Sequence, residues 1–272
     1  MEYKLLADSG STKTDWLLLG DGEKLQRFST QGINPFMLGN KEIVSILQKE
    51  LLRQMPDVNI NVIEFYGAGC RGTQCNLVAD ALQTVFHPQQ VVVDSDMLGA
   101  ARALCGAEEG IVCILGTGSN SCLYDGHAII ANVSPLGYIL GDEGSGAVLG
   151  RRLIGDVLKL QLPENICHDF YETYGLTGDA IIQKVYRESL PNRFLASFAP
   201  FLHQHREEEC IHRLLLDEFD RFFRRNVANY HREDLHVHFV GSIAYYFQNE
   251  LKESALRCGF HIGKIQKAPL DD

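Results

Sequence analysis

The chain has no run of apolar residues approaching the roughly 20 that a membrane-crossing helix needs, no cysteine pair in C-x-x-C spacing, and no excess of basic residues. Each absence removes a class. Without such a run no membrane span is expected, and the apolar stretch in M-E-Y-K-L-L-A-D is too short for the core of a secretory leader. The expected compartment is the cytoplasm. A formal net charge of -10 speaks against nucleic acid or an anionic membrane as partner, since both favour a basic face. The chain's eight cysteines lie partly inside apolar runs such as I-V-C-I-L, so they read as buried free thiols rather than a disulfide or metal framework. A Walker A loop, G-x-x-x-x-G-K-[ST], is lacking too.

What is present is ordinary globular composition, 45% hydrophobic and 22% charged, over a length of 272 residues that suits one large or two ordinary domains. Residues 3–8 and 15–19 read as strands around the polar loop S-G-S-T-K-T, and Asp21-Gly22 turns the chain. Residues 40–55 carry Ile43, Val44, Leu47, Leu51 and Leu52 at helical spacing, with Asn40 as the expected cap. A strand at 62–66, a glycine-rich loop, a helix near 74–86 and the strand Q-V-V-V-D-S-D follow in βαβ rhythm.

The run I-V-C-I-L at 111–115 then restarts the pattern: loop G-T-G-S-N, strand S-C-L-Y, a D-G turn and another strand. That repetition suggests a duplicated domain. Residues 157–230 read mostly helical, with Leu214, Leu215, Phe219, Phe222 and Phe223 on one face. H-V-H-F-V at 236–240 reads as the last strand, before G-S-I-A and a helix over about 244–258.

A Gly/Ser/Thr loop after a strand exposes backbone amides that can cradle phosphate oxygens. D-S-G-S-T-K-T at 8–14 could equally be a plain hairpin turn. G-T-G-S-N at 116–120 follows an equivalent strand, and two such loops together point to a nucleotide. Asp8 offers the hard oxygen that Mg2+ needs, acting through water, or else it forms an Asx turn.

Phosphoryl transfer to an alcohol needs a proton acceptor, and V-V-V-D-S-D-M-L-G-A supplies Asp94 and Asp96 at a strand end. While strand-like they share a face, so spacing does not choose between them, and either could cap the following helix. Asp142 and Glu143 in G-D-E-G-S-G are further carboxylates in a glycine-flanked turn. The H-x-H pairs His203/His205 and His236/His238 lack an evident carboxylate or thiol partner and read as solvated or structural. The doublets Arg151-Arg152 and Arg224-Arg225 read as solvated helix faces.

Taken in order, D-S-G-S-T-K-T (8–14), G-A-G-C-R-G (67–72), D-S-D-M-L-G-A (94–100), L-G-T-G-S-N (115–120), G-D-E-G-S-G (141–146) and V-G-S (240–242) resemble the N-acetylglucosamine kinase group of the BadF/BadG/BcrA/BcrD-type ATPase family. That family belongs to the actin-like, sugar-kinase and heat-shock-chaperone ATPase superfamily. The resemblance implies an α/β fold of two ribonuclease H-like domains, each a mixed β-sheet covered by helices, with an interdomain cleft. Residues 1–103 would form the N-terminal domain and 104–272 the C-terminal one.

It implies ATP and Mg2+, an amino-sugar acceptor, most simply N-acetylglucosamine at its 6-hydroxyl, and a homodimer, since dimers are frequent among such kinases. The ATP-binding residues would be Ser9, Gly10, Ser11, Thr12, Lys13, Gly116, Thr117 and Gly118, with Gly241 and Ser242 at the adenosine; Asp8 would serve the metal. Thr12 and Thr117 would lie at the phosphates, with Lys13 adding positive potential. The family's catalytic aspartate stands in D-x-x-G, which selects Asp96, three residues before Gly99. Sugar contacts would come from Asn34, Asp96, Ser119, Asn120, Gly137 and Asp142.

Animal members carry a tryptophan before G-D-E-G-S where this chain has Leu136, so stacking on the sugar is absent or falls to Tyr138 or Phe36. The chain also closes on K-A-P-L-D-D, which leaves the adenine contacts open. Two other readings stand beside the kinase. One is an ATPase that activates an iron-sulfur radical enzyme, although G-T-G-S-N here follows I-L rather than C-A-A. The other is a non-catalytic sugar or nucleotide sensor on the same scaffold.

Overall fold

The computed structural model describes residues 2–10 and 12–270. The chain divides into two compact units, Met1–Ala103 with Pro269–Asp272, and Leu104–Ala268. No helix among the described residues is long and apolar enough to cross a membrane. All eight cysteines are free.

The first unit runs β1 (Tyr3–Ser9), β2 (Lys13–Gly20), β3 (Glu23–Gln31), α1 (Asn40–Ile46), β4 (Ile60–Gly67), α2 (Thr73–Phe86), β5 (Gln90–Ser95) and α3 (Asp96–Cys105). Its sheet order is β3-β2-β1-β4-β5. β1, β2 and β3 pair antiparallel, and β4 and β5 join in parallel. Alternation sends Leu5 and Ala7 of β1 into a core with Trp16, Ile63 and Phe65. Trp16 also needs a partner for its indole N–H, and Nε1 donates to Thr30 Oγ1 at 3.0 Å. Asp21 and Gly22 both take positive φ, 50° and 86°, the geometry of a tight hairpin turn between β2 and β3.

The helix expected over 40–55 departs from its reading in two ways. Gly39 rather than Asn40 is the cap: its N–H donates to the Glu42 carboxylate at 2.7 Å, while Asn40 Nδ2 donates to Leu77 O at 3.2 Å and ties α1 to α2. After Ile46 the chain widens into a π turn over Leu47–Leu51, with Leu52 N–H donating to Leu47 O. The widening keeps Leu47 and Leu51 in the core and leaves Leu52 exposed.

The second unit runs β6 (Gly110–Leu115), β7 (Ser119–Tyr124), β8 (Ile129–Ala131), α4 (Gly137–Leu140), α5 (Gly146–Leu158), α6 (Glu164–Tyr174), α7 (Gly178–Arg187), α8 (Pro191–Ala196), α9 (Ala199–Gln204), α10 (Glu209–Arg225), β9 (His236–Val240), α11 (Ser242–Tyr246), α12 (Gln248–Arg257) and β10 (His261–Gln266). Its sheet order, β10-β9-β6-β7-β8, repeats that of the first unit strand for strand, with the same antiparallel and parallel pairings. Both units are therefore mixed five-stranded sheets flanked by helices, the actin-like architecture.

H-V-H-F-V is not the last strand. H-I-G-K-I-Q forms β10, parallel to β9. It lies at the sheet edge, so only two of its six residues are aliphatic. His238 in β9 is structural: its Nδ1 accepts the Lys264 N–H at 3.0 Å, and Gly110 and Gly263 leave room for its ring.

Leu214, Leu215, Phe219, Phe222 and Phe223 of α10 are buried as their spacing predicts. The same helix also buries two carboxylates, and one arginine of each doublet, Arg152 and Arg224, helps neutralise them rather than lying on a merely solvated face. Glu218 accepts from Arg152 at 3.0 Å and Arg221 at 3.1 Å, and Asp220 pairs with Arg224 at 3.2 Å and Arg257 at 3.1 Å.

Candidate active site

In the first unit, four loops at one edge of the sheet carry the residues singled out from sequence. Ser9 and Thr14 close the β1-β2 turn with their hydroxyls 2.7 Å apart, both fully buried. Ile33 N–H donates to Ser9 Oγ at 3.0 Å and to Thr14 Oγ1 at 3.2 Å, which fixes the segment leading to Asn34. The Ser9 hydroxyl thus serves the fold, and the groups this turn can offer a phosphate are its backbone and Thr12, which is exposed. Ser11 lies outside the described residues. Lys13 is ion-paired with Asp15 at 2.8 Å.

Register places Asp8 opposite Asp15 on one side and Tyr66 on the other, with Asp94 opposite Tyr66 in turn. β5 ends at Ser95, so Asp94 and Asp96 do not share a strand face. Asp94 Oδ1 accepts from Ser95 N–H at 2.7 Å, and Ser95 Oγ accepts from Leu98 N–H at 3.2 Å, which caps the first turn of α3. Asp96 opens the helix with Oδ1 accepting from Met97 N–H at 2.9 Å.

Burial pushes the Asp96 carboxyl above the ordinary carboxylate range, while the Met97 amide and the Arg71 guanidinium pull it back. The glycine of D-x-x-G has a packing reason: a Cβ on Gly99 would sit 2.6 Å from Tyr66 Cβ, so only glycine lets α3 approach β4. Gly69 is equally constrained. At φ 84°, an added Cβ there would sit 2.3 Å from Asn34 Oδ1 and 2.9 Å from Phe36 Cδ2.

In the second unit three segments converge. Gly116 N–H donates to Gly118 O at 2.9 Å, and the carbonyls of Gly116 and Thr117 accept from Gly146 and Ala147 at 2.8 and 3.1 Å. Helix α5 thereby starts against the second loop, capped by Ser145, whose Oγ accepts from Val148 N–H. Gly241, at φ 121°, packs so closely on β6 that a Cβ would lie 2.2 Å from Leu115 O. Gly241 and Ser242 therefore stand beside the loop at 116–118.

Asp142 lies over that loop, at φ 55°, with its Oδ2 3.0 Å from where a Gly118 Cβ would be. Burial lifts its carboxyl to about 6, helped by Glu143 and opposed by the amides of Ser119 and Gly137 that donate to it. The structure thus gathers Gly118, Ser119, Gly137 and Asp142. Asn120 is adjacent, its Oδ1 accepting from Ser121 N–H and Asn132 Nδ2, both at 2.9 Å. Glu143 is held elsewhere, by Arg225 and by Asn226 Nδ2 at 3.3 Å.

In each unit the glycine-bearing loop suits phosphate. A Cβ at Gly116 would meet nothing within 4 Å, and at Gly10 nothing nearer than Lys13 O at 3.7 Å, so both backbones are open to phosphate oxygens. Asp8 and Asp15, opposite each other on neighbouring strands, are hard oxygen donors of the kind that hold hydrated Mg2+.

Among solved structures, the chain is 49% identical to a candidate N-acetylglucosamine kinase from Porphyromonas gingivalis, with a TM-score of 0.96 over 99% of this chain and 96% of that one. The chain belongs to the N-acetylglucosamine kinase group. The motif order resembled this same group within the actin-like ATPases. A second candidate N-acetylglucosamine kinase, from Chromobacterium violaceum, shares the fold at 19% identity and a TM-score of 0.79, covering 99% of this chain and 96% of that one. The fold is also that of a ROK family glucokinase from Streptomyces griseus, solved with glucose and AMPPNP, at 14% identity and a TM-score of 0.62 over 98% and 95% of the two chains. No family model matches the chain, and no curated protein matches it.

For this member of the N-acetylglucosamine kinase group, sequence reasoning passed over Arg71 and Ser95. Ser95 stands between two aspartates that drew the attention. Arg71 stands in the glycine loop at 67–72, where a lone cation among small residues was the available signal.

Proposed function

We infer that the protein transfers the γ-phosphoryl group of ATP to an amino sugar, with N-acetylglucosamine and its 6-hydroxyl as the acceptor. The observation that carries this reading is the near-half identity, over essentially the whole length, to a candidate kinase of that sugar. The geometry around Asp96 supports it. A carboxylate at a strand-helix junction, partly buried and oriented by the Met97 amide, is suited to take the hydroxyl proton as the sugar oxygen attacks phosphorus.

The turns at 8–14 and 116–120 would bind phosphate through backbone and hydroxyls, with Gly241 and Ser242 at the adenosine. Asn34, Ser119, Asn120, Gly137 and Asp142 would meet the sugar. Mg2+ held through Asp8 would neutralise phosphate charge when bound. We place the protein in the cytoplasm and expect a homodimer.

The test is ADP release from Mg-ATP with a panel of amino sugars and Asp96→Asn beside the wild type. Sugar-dependent release, cut at least about 100-fold in the variant with nucleotide binding kept, is the expected result. Sugar-independent release would replace the kinase by a plain ATPase, and no release by a sensor.

A further inference from the structure

The loop at 67–72 touches two of the segments on which the first unit's chemistry rests, and carries a cation whose charge reaches a third. Its Ala68 N–H donates to Ser9 O at 2.8 Å, at the start of the first phosphate turn. Its Gly69 lies against the Asn34 side chain. Its Arg71 is the cation whose charge acts on Asp96. An exposed arginine at the crossing of a phosphate turn, a sugar contact and a proton acceptor is placed for more than solubility.

Charge balance at this edge strengthens the point. Asp15, Asp8 and Asp94 lie in one row across β2, β1, β4 and β5, interrupted only by Tyr66, and Asp96 follows two residues after Asp94. A polyphosphate brought there meets carboxylates. The neighbouring cations are committed: Lys13 to Asp15 at 2.8 Å, and Arg102 to the Tyr66 hydroxyl at 2.7 Å. Arg71 is exposed and forms no salt bridge among the described residues.

Resting on the sugar-kinase reading, we propose that Arg71 is a further catalytic residue, its guanidinium contacting the phosphoryl group as it passes from ATP to the sugar oxygen. In that step the bond from sugar oxygen to phosphorus forms, the bond from phosphorus to the bridging oxygen of ADP breaks, and the hydroxyl proton goes to Asp96. The moving group carries negative charge toward a carboxylate. A guanidinium whose charge reaches that carboxylate offsets the repulsion and can offer two parallel N–H donors to phosphoryl oxygens. The charge is stabilised most at the point of transfer, so the effect belongs in kcat rather than in sugar binding.

The test uses the full chain as wild type, Arg71→Met and Arg71→Lys, with melting curves to verify folding and ADP release measured with Mg-ATP and N-acetylglucosamine. Arg71→Met should lose at least about 100-fold in kcat, with the sugar KM changed by less than about threefold. Millimolar guanidinium chloride should restore part of that loss where equal sodium chloride does not, a rescue that a merely structural arginine would not show. Arg71→Lys should recover only part of the rate, because ammonium lacks the planar fork.

A folded Arg71→Met at wild-type kcat, a loss confined to KM, or the absence of guanidinium rescue overturns the proposal. Should Arg71→Met not fold, Arg71→Lys at full wild-type kcat overturns it equally. Wild-type protein that releases ADP at the same rate without sugar would overturn the kinase reading and this proposal with it; wild type that needs sugar beside an unimpaired Arg71→Met would overturn Arg71 alone.

Discussion

Gly69 lies so close to Asn34 that a Cβ on the glycine would sit 2.3 Å from Asn34 Oδ1. The contact joins the turn after β4 to the segment after β3, and Asn34 Oδ1 is fixed further by accepting from Phe36 N–H at 3.0 Å. Alanine at 69 would be strained twice, by left-handed backbone costing roughly 1–2 kcal/mol and by displacement of the Asn34 amide. Gly69→Ala should therefore raise the sugar KM at least about tenfold, since small misplacements of a positioning group carry large rate costs. Steady-state kinetics with a melting curve checks this, and an unchanged KM would remove Asn34 from the sugar contacts.

The Glu143–Arg225 pair joins residues 82 apart in sequence. Glu143 is 6% exposed, and Arg225 and Asn226 bind its two oxygens. Arg225→Met leaves a buried carboxylate with one amide partner. The pair's arginine is itself largely solvated, so the cost falls below that of breaking a fully buried pair, at about 1–3 kcal/mol. Urea unfolding should show that loss, and Glu143→Gln added to Arg225→Met should return part of it, because the uncompensated charge is then gone.

How much of this was legible beforehand follows from the range of the forces involved. The repeat of strand, loop, strand, D-G turn and strand is local pattern, and the two sheets share one strand order as that pattern suggested. The strand H-I-G-K-I-Q escaped notice because an edge position needs little apolar surface. Whether Asp94 and Asp96 share a strand face depended on where β5 stops, and Ser95 ends it by capping α3, a matter of one hydroxyl. Glu143 looked like a second site carboxylate beside Asp142, and nothing in its neighbourhood announced an arginine at the end of α10. That the Ser9 hydroxyl is taken up by Thr14 and Ile33 was not legible either, because sequence shows residue type but not direction.

Asp142 makes stability depend on pH in a stated direction. Its folded carboxyl titrates at about 6, above the ordinary 3.8, so the folded state holds the proton more tightly than the unfolded chain. Folding stability from this group is thus present below the unfolded value and is lost as pH rises through about 4 to 6. Asp142→Asn removes the ionisation while keeping an acceptor for the Ser119 and Gly137 amides. Melting temperatures of the two proteins should diverge in the variant's favour above pH 6 and converge below pH 4. A constant difference across that range would show that the carboxyl does not titrate there.

Asp94 offers the sharpest control on the assignment of Asp96. Its Oδ1 accepts from Ser95 N–H at 2.7 Å, a bond that an asparagine carbonyl can also make, so Asp94→Asn should preserve the end of β5 and the start of α3. If Asp96 alone takes the hydroxyl proton, Asp94→Asn should keep kcat within about fivefold of wild type, whereas Asp96→Asn should lose at least about 100-fold. Parallel measurement of ADP release by the two variants decides it. Equal losses would mean that the carboxylates act as a pair, and a larger loss at 94 would move the proton acceptor back into the strand.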